Sequence, residues 1–268
     1  MSRKAQEHHP RKRFGQHFLS DQSIIAQLVA AIAPRRDDCM VEIGPGLGAL
    51  THPLIKILKH LHTVELDRDL AARLRELARV SGQITVHEID ALAFDFASLH
   101  EDEPLRIVGN LPYNISTPLM FHLLDSSAPI ADMHFMLQRE VVMRLAAQTN
   151  TRAYGKLSVM MQYQCEVDWL FDVPPQAFTP PPKVDSAVVR LVPRRTPPAD
   201  VGDLQAFERL VHQAFSQRRK TLRNTLRPLL NVAQIQACDV DPGDRAESLD
   251  LQAFARLSRT LSGTFATQ

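Results

Sequence analysis

Gly44-Pro45-Gly46-Leu47-Gly48 follows directly on the short apolar stretch Cys39-Met40-Val41-Glu42-Ile43, and Leu50, Leu54, Ile57 and Leu58 then recur at helical spacing. Buried strand, glycine turn and helix in that order open a βαβ unit, so the chain is committed to an α/β fold. Glycine in such a turn lets a ligand come close to the backbone. The turn meets the dinucleotide fingerprint loosely, with Ala49 where Gly or Ala is allowed, and leaves the identity of the ligand open.

The strands that follow supply acids at the same sheet edge. Leu61-His62-Thr63-Val64-Glu65-Leu66 reads as a second strand, with Glu65 about twenty residues beyond Gly44, the distance at which an acid reaches ribose hydroxyls. Asp67 better suits the start of the helix carrying Leu70, Leu74 and Leu77. A third strand, Ile84 to Ile89, ends at Asp90, which can accept from an adenine amino group. Leu105 to Gly109 is a fourth buried strand and delivers Asn110 to the same edge.

Asn110-Leu111-Pro112-Tyr113 is the stretch that speaks most directly of chemistry. Pro112 keeps Leu111 out of helical dihedrals, so the loop is extended. Thr117 is expected to cap the next helix, with Pro118 in its first turn. An exocyclic amine on a planar base needs polar acceptors beside an aromatic face. Asn110 offers a side-chain oxygen, Leu111 a main-chain carbonyl and Tyr113 a ring for stacking. An ordinary Asn-Pro turn with a core tyrosine is the plainer alternative.

Elsewhere, Ser20 is expected to cap a helix through Ile24, Ile25, Leu28, Val29 and Ile32 that ends at Pro34. Met133 to Leu137 reads as a fifth strand and Glu140 to Ala147 as a helix, with Val159 to Cys165 and Ser186 to Leu191 as two further strands. The stretch Pro174 to Pro182 is too proline-rich for a helix or a central strand. Its one aromatic, Phe178, either anchors the loop in a core or gives a second base-stacking surface. Residues 1–15 form a basic arm, 16–192 a catalytic domain, 193–203 a proline-bearing linker and 204–268 a small all-α domain with helices at Leu204 to Phe215, Thr221 to Leu230 and Leu251 to Leu261.

Charge enters the argument through its distribution. The 268 residues carry a formal net charge of only +1, yet Arg3, Lys4, Arg11, Lys12 and Arg13 crowd the start, Arg190, Arg194 and Arg195 form a second group, and Arg218, Arg219, Lys220, Arg223 and Arg227 a third. Local basic patches on a nearly neutral chain point to a polyanion contacted over limited surfaces. Cys39, Cys165 and Cys238 lack metal or redox spacing, so reduced thiols and no metal site are expected. Neither a signal-like apolar segment nor a membrane-spanning run is present in the sequence, and a soluble cytoplasmic protein is expected.

Gln16-His17-Phe18-Leu19, Glu42 to Gly48, Val64-Glu65-Leu66-Asp67, Asn110 to Tyr113 and Phe178 to Ser186 occur together in this order. Together they closely resemble the ribosomal RNA adenine N6,N6-dimethyltransferase family of small-subunit type, from about Arg13 to the C-terminal helices. His17 departs from the family's usual Asn, although imidazole can also donate or accept a hydrogen bond. The resemblance implies a Rossmann-like methyltransferase domain with a mainly parallel seven-stranded sheet, plus a helical C-terminal domain. It implies S-adenosylmethionine as methyl donor, with His17, Leu19, Gly44, Glu65, Asp90 and Asn110 around it. The implied substrate is a pair of adjacent adenosines in the 3′-terminal hairpin of small-subunit rRNA, in a pre-30S or 30S particle, each receiving two methyl groups.

On this reading Asn110, Leu111, Pro112 and Tyr113 are catalytic, while Tyr113, Phe178, Arg218, Arg219, Lys220 and Arg223 contact substrate. A monomer without metal or membrane partner is expected. The competing readings are a non-catalytic small-subunit assembly factor, an adenine methyltransferase for another nucleic acid such as DNA, a protein-glutamine methyltransferase with a similar loop, and a nicotinamide dehydrogenase that leaves Asn110 to Tyr113 unexplained.

Overall fold

The computed structural model describes residues 17–99 and 103–265. The basic arm of residues 1–15 lies outside the described residues. Along the chain run β1 (Phe18–Leu19), α1 (Gln22–Ile32), β2 (Met40–Ile43), α2 (Thr51–Leu54), β3 (Leu61–Glu65), α3 (Arg68–Ser81), β4 (Ile84–Glu88), β5 (Leu105–Asn110), α4 (Ser116–Asp125) and β6 (Ile130–Gln138). They continue with α5 (Arg139–Leu145), α6 (Lys156–Gln164), β7 (Cys165–Val173), β8 (Phe178–Thr179), β9 (Ser186–Pro193), α7 (Leu204–Ala214), α8 (Leu222–Thr225), α9 (Val232–Ala237) and α10 (Leu251–Phe265).

Two compact units result. The first runs to Val142 and resumes with Asp168–Pro193; the second takes Met143–Val167 and everything from Arg194. Residues 143–167, placed by sequence in the first domain, therefore group with the helical unit.

The first unit is built on a seven-stranded sheet of order β4-β3-β2-β5-β6-β9-β7. Strands β2 to β6 pair in parallel, and β9 joins β6 antiparallel with His134 opposite Arg190 and Gln138 opposite Ser186. The parallel part is apolar because helices cover both faces: Met40, Val41, Leu61, Ile107, Val108, Met133 and Phe135 are buried. Gly109 marks a close approach of strands, since a Cβ there would lie 2.5 Å from the Ile43 carbonyl oxygen. A two-residue ribbon outside the sheet pairs Phe18 with Thr179 and Leu19 with Phe178.

Several local expectations are corrected. Asp21, not Ser20, caps α1, its carboxylate accepting from the Ser23 and Ile24 amides at 2.8 and 3.3 Å. Ser20 instead donates its amide to the Ala177 carbonyl at 2.8 Å, which ties it to the β1–β8 ribbon. Helix α4 begins at Ser116 without a side-chain cap, so Thr117 and Pro118 both lie inside its first turn. Val159 to Cys165 is not a strand but most of α6, where Leu157, Val159, Met160, Met161 and Tyr163 are all buried. A short continuous apolar run does not fix its own period, and burial on more than one side removed the helical pattern. The strand comes after it, as β7, at the edge of the sheet.

In the second unit, α6, α7 and α10 form the core. Tyr163 packs on Phe207 at 4.9 Å between centroids, Phe215 on Phe254 at 5.8 Å, and Ser258 donates to the Val201 carbonyl at 2.7 Å. Only Leu222–Thr225 of the expected Thr221 to Leu230 helix forms, because Pro228 disfavours helical dihedrals at Arg227. Helix α9, which the sequence reading did not separate, begins with a reciprocal cap in which Asn231 and Gln234 each accept the other's amide at 2.9 and 2.8 Å.

Candidate functional site

A single-unit cavity opens at the carboxyl edge of β2, β3, β4 and β5, the edge at which ligands bind in open α/β sheets. His17, Leu19, Gly44, Glu65, Asp90, Asn110, Leu111, Pro112 and Tyr113 all line it. The structure thus brings together every residue expected to hold a cofactor and every residue of the expected catalytic loop.

The glycine turn forms one wall. Gly44 has φ +66° and Gly46 φ +59°, and a Cβ on Gly46 would lie 3.1 Å from the Phe18 ring. No other residue fits Gly46 without strain, so the cavity wall is bare backbone. The Gly46 amide donates to Glu65 Oε2 at 3.1 Å and the Asp67 amide to Glu65 Oε1 at 2.9 Å. Glu65 is buried, and burial raises its pKa despite backbone hydrogen bonds from Asp67, Gly46 and Leu66. The carboxylate still has lone-pair capacity for a ligand hydroxyl. Asp67 caps α3, accepting from the Asp69 amide at 3.0 Å, as its position in the sequence predicts. Asp90 accepts the Leu92 amide on Oδ1 at 3.0 Å, which aims the carboxylate from the strand end.

Opposite the turn lies the loop after β5. Asn110 donates its amide Nδ2 to the His17 carbonyl at 3.0 Å, which leaves Oδ1 as the group to meet a ligand. The His17 ring is fixed by an Nδ1 contact of 2.8 Å to the Pro180 carbonyl. Tyr113 shares a hydrogen bond of 2.9 Å with Ser186 Oγ, and its ring lies 6.1 Å from that of His17 at an interplanar angle of 27°. Burial raises the Tyr113 pKa, so the phenol stays neutral and available as a stacking ring.

Phe178 departs from the expected second stacking surface. It is 3% exposed and packs in the core with Leu19, Val173 and Ala177. A platform for a base must present a face, and this ring presents none; β1 covers it. Leu19, its partner in the ribbon, is the residue of the pair that reaches the cavity. Arg218, Arg219, Lys220 and Arg223 belong to the second unit and are exposed. Arg218 differs from the other three, since its guanidinium pairs with Glu247 at 3.4 Å and donates to the Arg152 carbonyl.

Glu42 is a lining residue to which sequence reasoning gave no role. It is 2% exposed and accepts the Thr51 hydroxyl at 2.6 Å. Its signal was present: an acid inside an apolar strand, two residues before the glycine turn. No helix of the described residues is long and apolar enough to cross a membrane, and no group of His, Cys, Asp and Glu among them could hold a metal ion.

Against known proteins, residues 7–262 match the model of the family described as ribosomal RNA adenine dimethylase. The ribosomal RNA small subunit methyltransferase A of Nitrosococcus oceani is 56% identical over 253 residues, covering 94% of this chain and 96% of that protein. The enzyme of the same name from Chromobacterium violaceum is 54% identical, covering 95% and 97%. Among solved structures, a dimethyladenosine transferase from Plasmodium falciparum superposes with a TM-score of 0.79 at 25% identity, covering 90% of this chain and 96% of that one. The 23S rRNA methyltransferase ErmE gives a TM-score of 0.71 at 27% identity, covering 91% and 99%. Matched over nearly its whole length, with the sheet and the loop after β5 in place, the chain belongs to the ribosomal RNA adenine dimethylase family.

Proposed function

We propose that the chain uses S-adenosylmethionine to dimethylate the N6 amino groups of two adjacent adenosines in the 3′-terminal hairpin of small-subunit rRNA, within a pre-30S or 30S particle. The chain is an rRNA adenine dimethyltransferase; the donor, the particle and the residue roles are the proposal. One observation carries it: the Asn110 to Tyr113 loop opens into the same cavity as the glycine turn, Glu65 and Asp90.

The residues present fit the donor. Bare backbone at Gly44 and Gly46 accommodates a close ligand, Glu65 offers lone pairs to ribose hydroxyls, and Asp90 offers one to an adenine amine. When bound, S-adenosylmethionine supplies an electrophilic methyl group on a positively charged sulfur. The chain supplies alignment. Asn110 Oδ1 and the Leu111 carbonyl accept hydrogen bonds from the target N6 amino group, which turns its lone pair away from them and into the cavity. Tyr113, held by Ser186, stacks on the extruded base, a contact worth about 1–3 kcal/mol. Displacement of this kind asks mainly for orientation, so no strong general base is needed. Loop adenosines cost less to extrude than paired ones. Exposed Arg219, Lys220 and Arg223 contact RNA phosphates, positioning without reading sequence. The chain acts as a cytoplasmic monomer.

Methyl transfer from labelled S-adenosylmethionine to undermethylated small subunits, followed by nucleoside analysis, tests the reading. N6,N6-dimethyladenosine should appear with undermethylated subunits and not with fully methylated ones. Subunit binding without product would leave an assembly factor instead.

A further inference from the structure

Among the described residues, the aromatic rings that line the cavity are those of His17, Phe18 and Tyr113. Phe18 belongs to the glycine turn, its Cδ1 and Cε1 lying 3.1 Å from where a Gly46 Cβ would stand. His17 and Tyr113 make a pair of their own: both are half-buried, their centroids lie 6.1 Å apart and their planes 27° from parallel. Each is tethered at one edge, and by the same stretch of chain. His17 Nδ1 meets the Pro180 carbonyl at 2.8 Å, and Tyr113 Oη meets the fully buried Ser186 Oγ at 2.9 Å. A carbonyl oxygen only accepts, so His17 Nδ1 carries a proton and is spent on that bond. What the side chain still offers the cavity is one ring nitrogen and a face. Stacked bases are spaced by about 3.4 Å, so a base held on both sides needs flanking rings about 7 Å apart. The pair stands within about 1 Å of that spacing, and side chains at binding surfaces commonly move as a ligand arrives.

We propose that the His17 imidazole is the second stacking surface for the target adenine: the base enters between it and Tyr113, with N6 towards Asn110 Oδ1 and the Leu111 carbonyl. The inference rests on the Asn110 to Tyr113 loop being the place that receives the base. It gives the His17 side chain a role towards RNA instead of the donor. The donor's adenosine is already provided for by the bare turn, Glu65 and Asp90, and Phe178, the other candidate for a second surface, is 3% exposed beneath β1. Repeated methylation gives the second face its use. N6-methyladenine keeps one N–H, so it cannot donate to Asn110 and Leu111 at once. Stacking needs no hydrogen on N6, and a base gripped on both faces stays aligned when one of those bonds is gone. His17 therefore matters most for the second methyl group.

Two substitutions in the whole chain separate ring from polarity. His17→Asn keeps a donor for the Pro180 carbonyl and removes the ring; His17→Phe keeps a ring and removes the donor. The Asn110 amide bonds the His17 main-chain carbonyl, so neither change touches that contact. Each variant is assayed for methylation of undermethylated small subunits with nucleoside analysis, and for S-adenosylmethionine affinity by calorimetry. His17→Asn should lower kcat/KM for subunits about tenfold, the size of one lost base–aromatic contact, and N6-methyladenosine should accumulate ahead of the dimethylated product. Donor Kd should stay within about twofold of the parent. His17→Phe should keep the dimethylated nucleoside as the main product. A donor affinity that falls as far as turnover does, equal slowing of both methylations, unchanged turnover in His17→Asn, or a Phe variant that behaves like the Asn variant would each overturn the assignment. Should His17→Asn fail to fold, His17→Ala is read in its place against the same outcomes. Tyr113→Ala tests the reading beneath: no loss of turnover there means that the loop does not receive the base, whereas a loss there with none at His17 overturns the second surface alone.

Discussion

At the start of β5 Arg106 is surrounded by partners, whereas at its end the charged groups face a cavity. Arg106 meets Asp132 through two hydrogen bonds of 3.0 and 2.9 Å, Asp38 at 2.6 Å, and the Ile32 and Ala33 carbonyls that end α1 at 2.6 and 3.3 Å. Every donor has an acceptor, and the network locks α1 to the sheet. Around the cavity, Glu42, Glu65 and Asp90 are set by hydroxyls and amides, with no guanidinium or ammonium among the described lining residues. One sheet therefore carries charge in two ways. Paired charge serves the fold; charge without a counter-ion is kept where a ligand completes it.

Substitutions should separate the two regions. The largest effect is expected at the cavity: Asn110→Ala removes the acceptor proposed for the target amine and should lower turnover by about 100-fold or more, because misplacement alone can cost that much. RNA binding and thermal stability should stay near those of the parent; retention of most methylation would refute the alignment role. At the paired edge the pattern should invert. Arg106→Ala strands Asp38 and Asp132 and should cost about 3 kcal/mol in denaturant unfolding, with turnover per folded molecule little changed. Loss of turnover without loss of stability there would break the contrast.

A smaller change is expected from Glu65→Gln, whose NH2 would confront the Gly46 or Asp67 amide; donor affinity should fall about tenfold by equilibrium binding. pH sharpens the contrast from the other side. His134, buried beside Asp132 with its Nδ1 3.7 Å from Oδ1, has its pKa pushed down to about 4 by burial, with Asp132 opposing and Arg106 and Arg190 assisting. Its unfolded pKa is near 6.5, so the stability it provides is complete above that value and is lost as pH falls towards 4. Unfolding measured between pH 7.5 and 4.5 should show this slope, and His134→Leu should flatten it. Smallest of all, Lys220→Ala should lower the dependence of RNA affinity on salt by about one unit of logarithmic slope without changing sequence preference, as expected for one phosphate contact.

Much of the site was legible because its elements are local. A strand, a glycine turn and a helix within twenty residues announce themselves, and the acids Glu65 and Asp90 stand at strand ends where parallel pairing must bring them to one edge. Asn110 to Tyr113 was legible for the same reason. Phe178 was not, since whether a ring in a proline-rich loop faces solvent or core depends on β1, 160 residues away in the chain. Glu42 was given no role although an acid inside an apolar strand is itself a signal, because only tertiary packing shows that it is buried and that burial raises its pKa.

By itself the sequence determined the α/β class, the sheet edge at which the cavity opens, and the place of the loop after β5 on that edge, since each follows from short-range pattern. Tertiary structure decided which apolar runs are strands or buried helices, which Arg residues are occupied by carboxylates, and which aromatic faces remain accessible. Those outcomes depend on what packs against each residue from distant parts of the chain, and no local period encodes them.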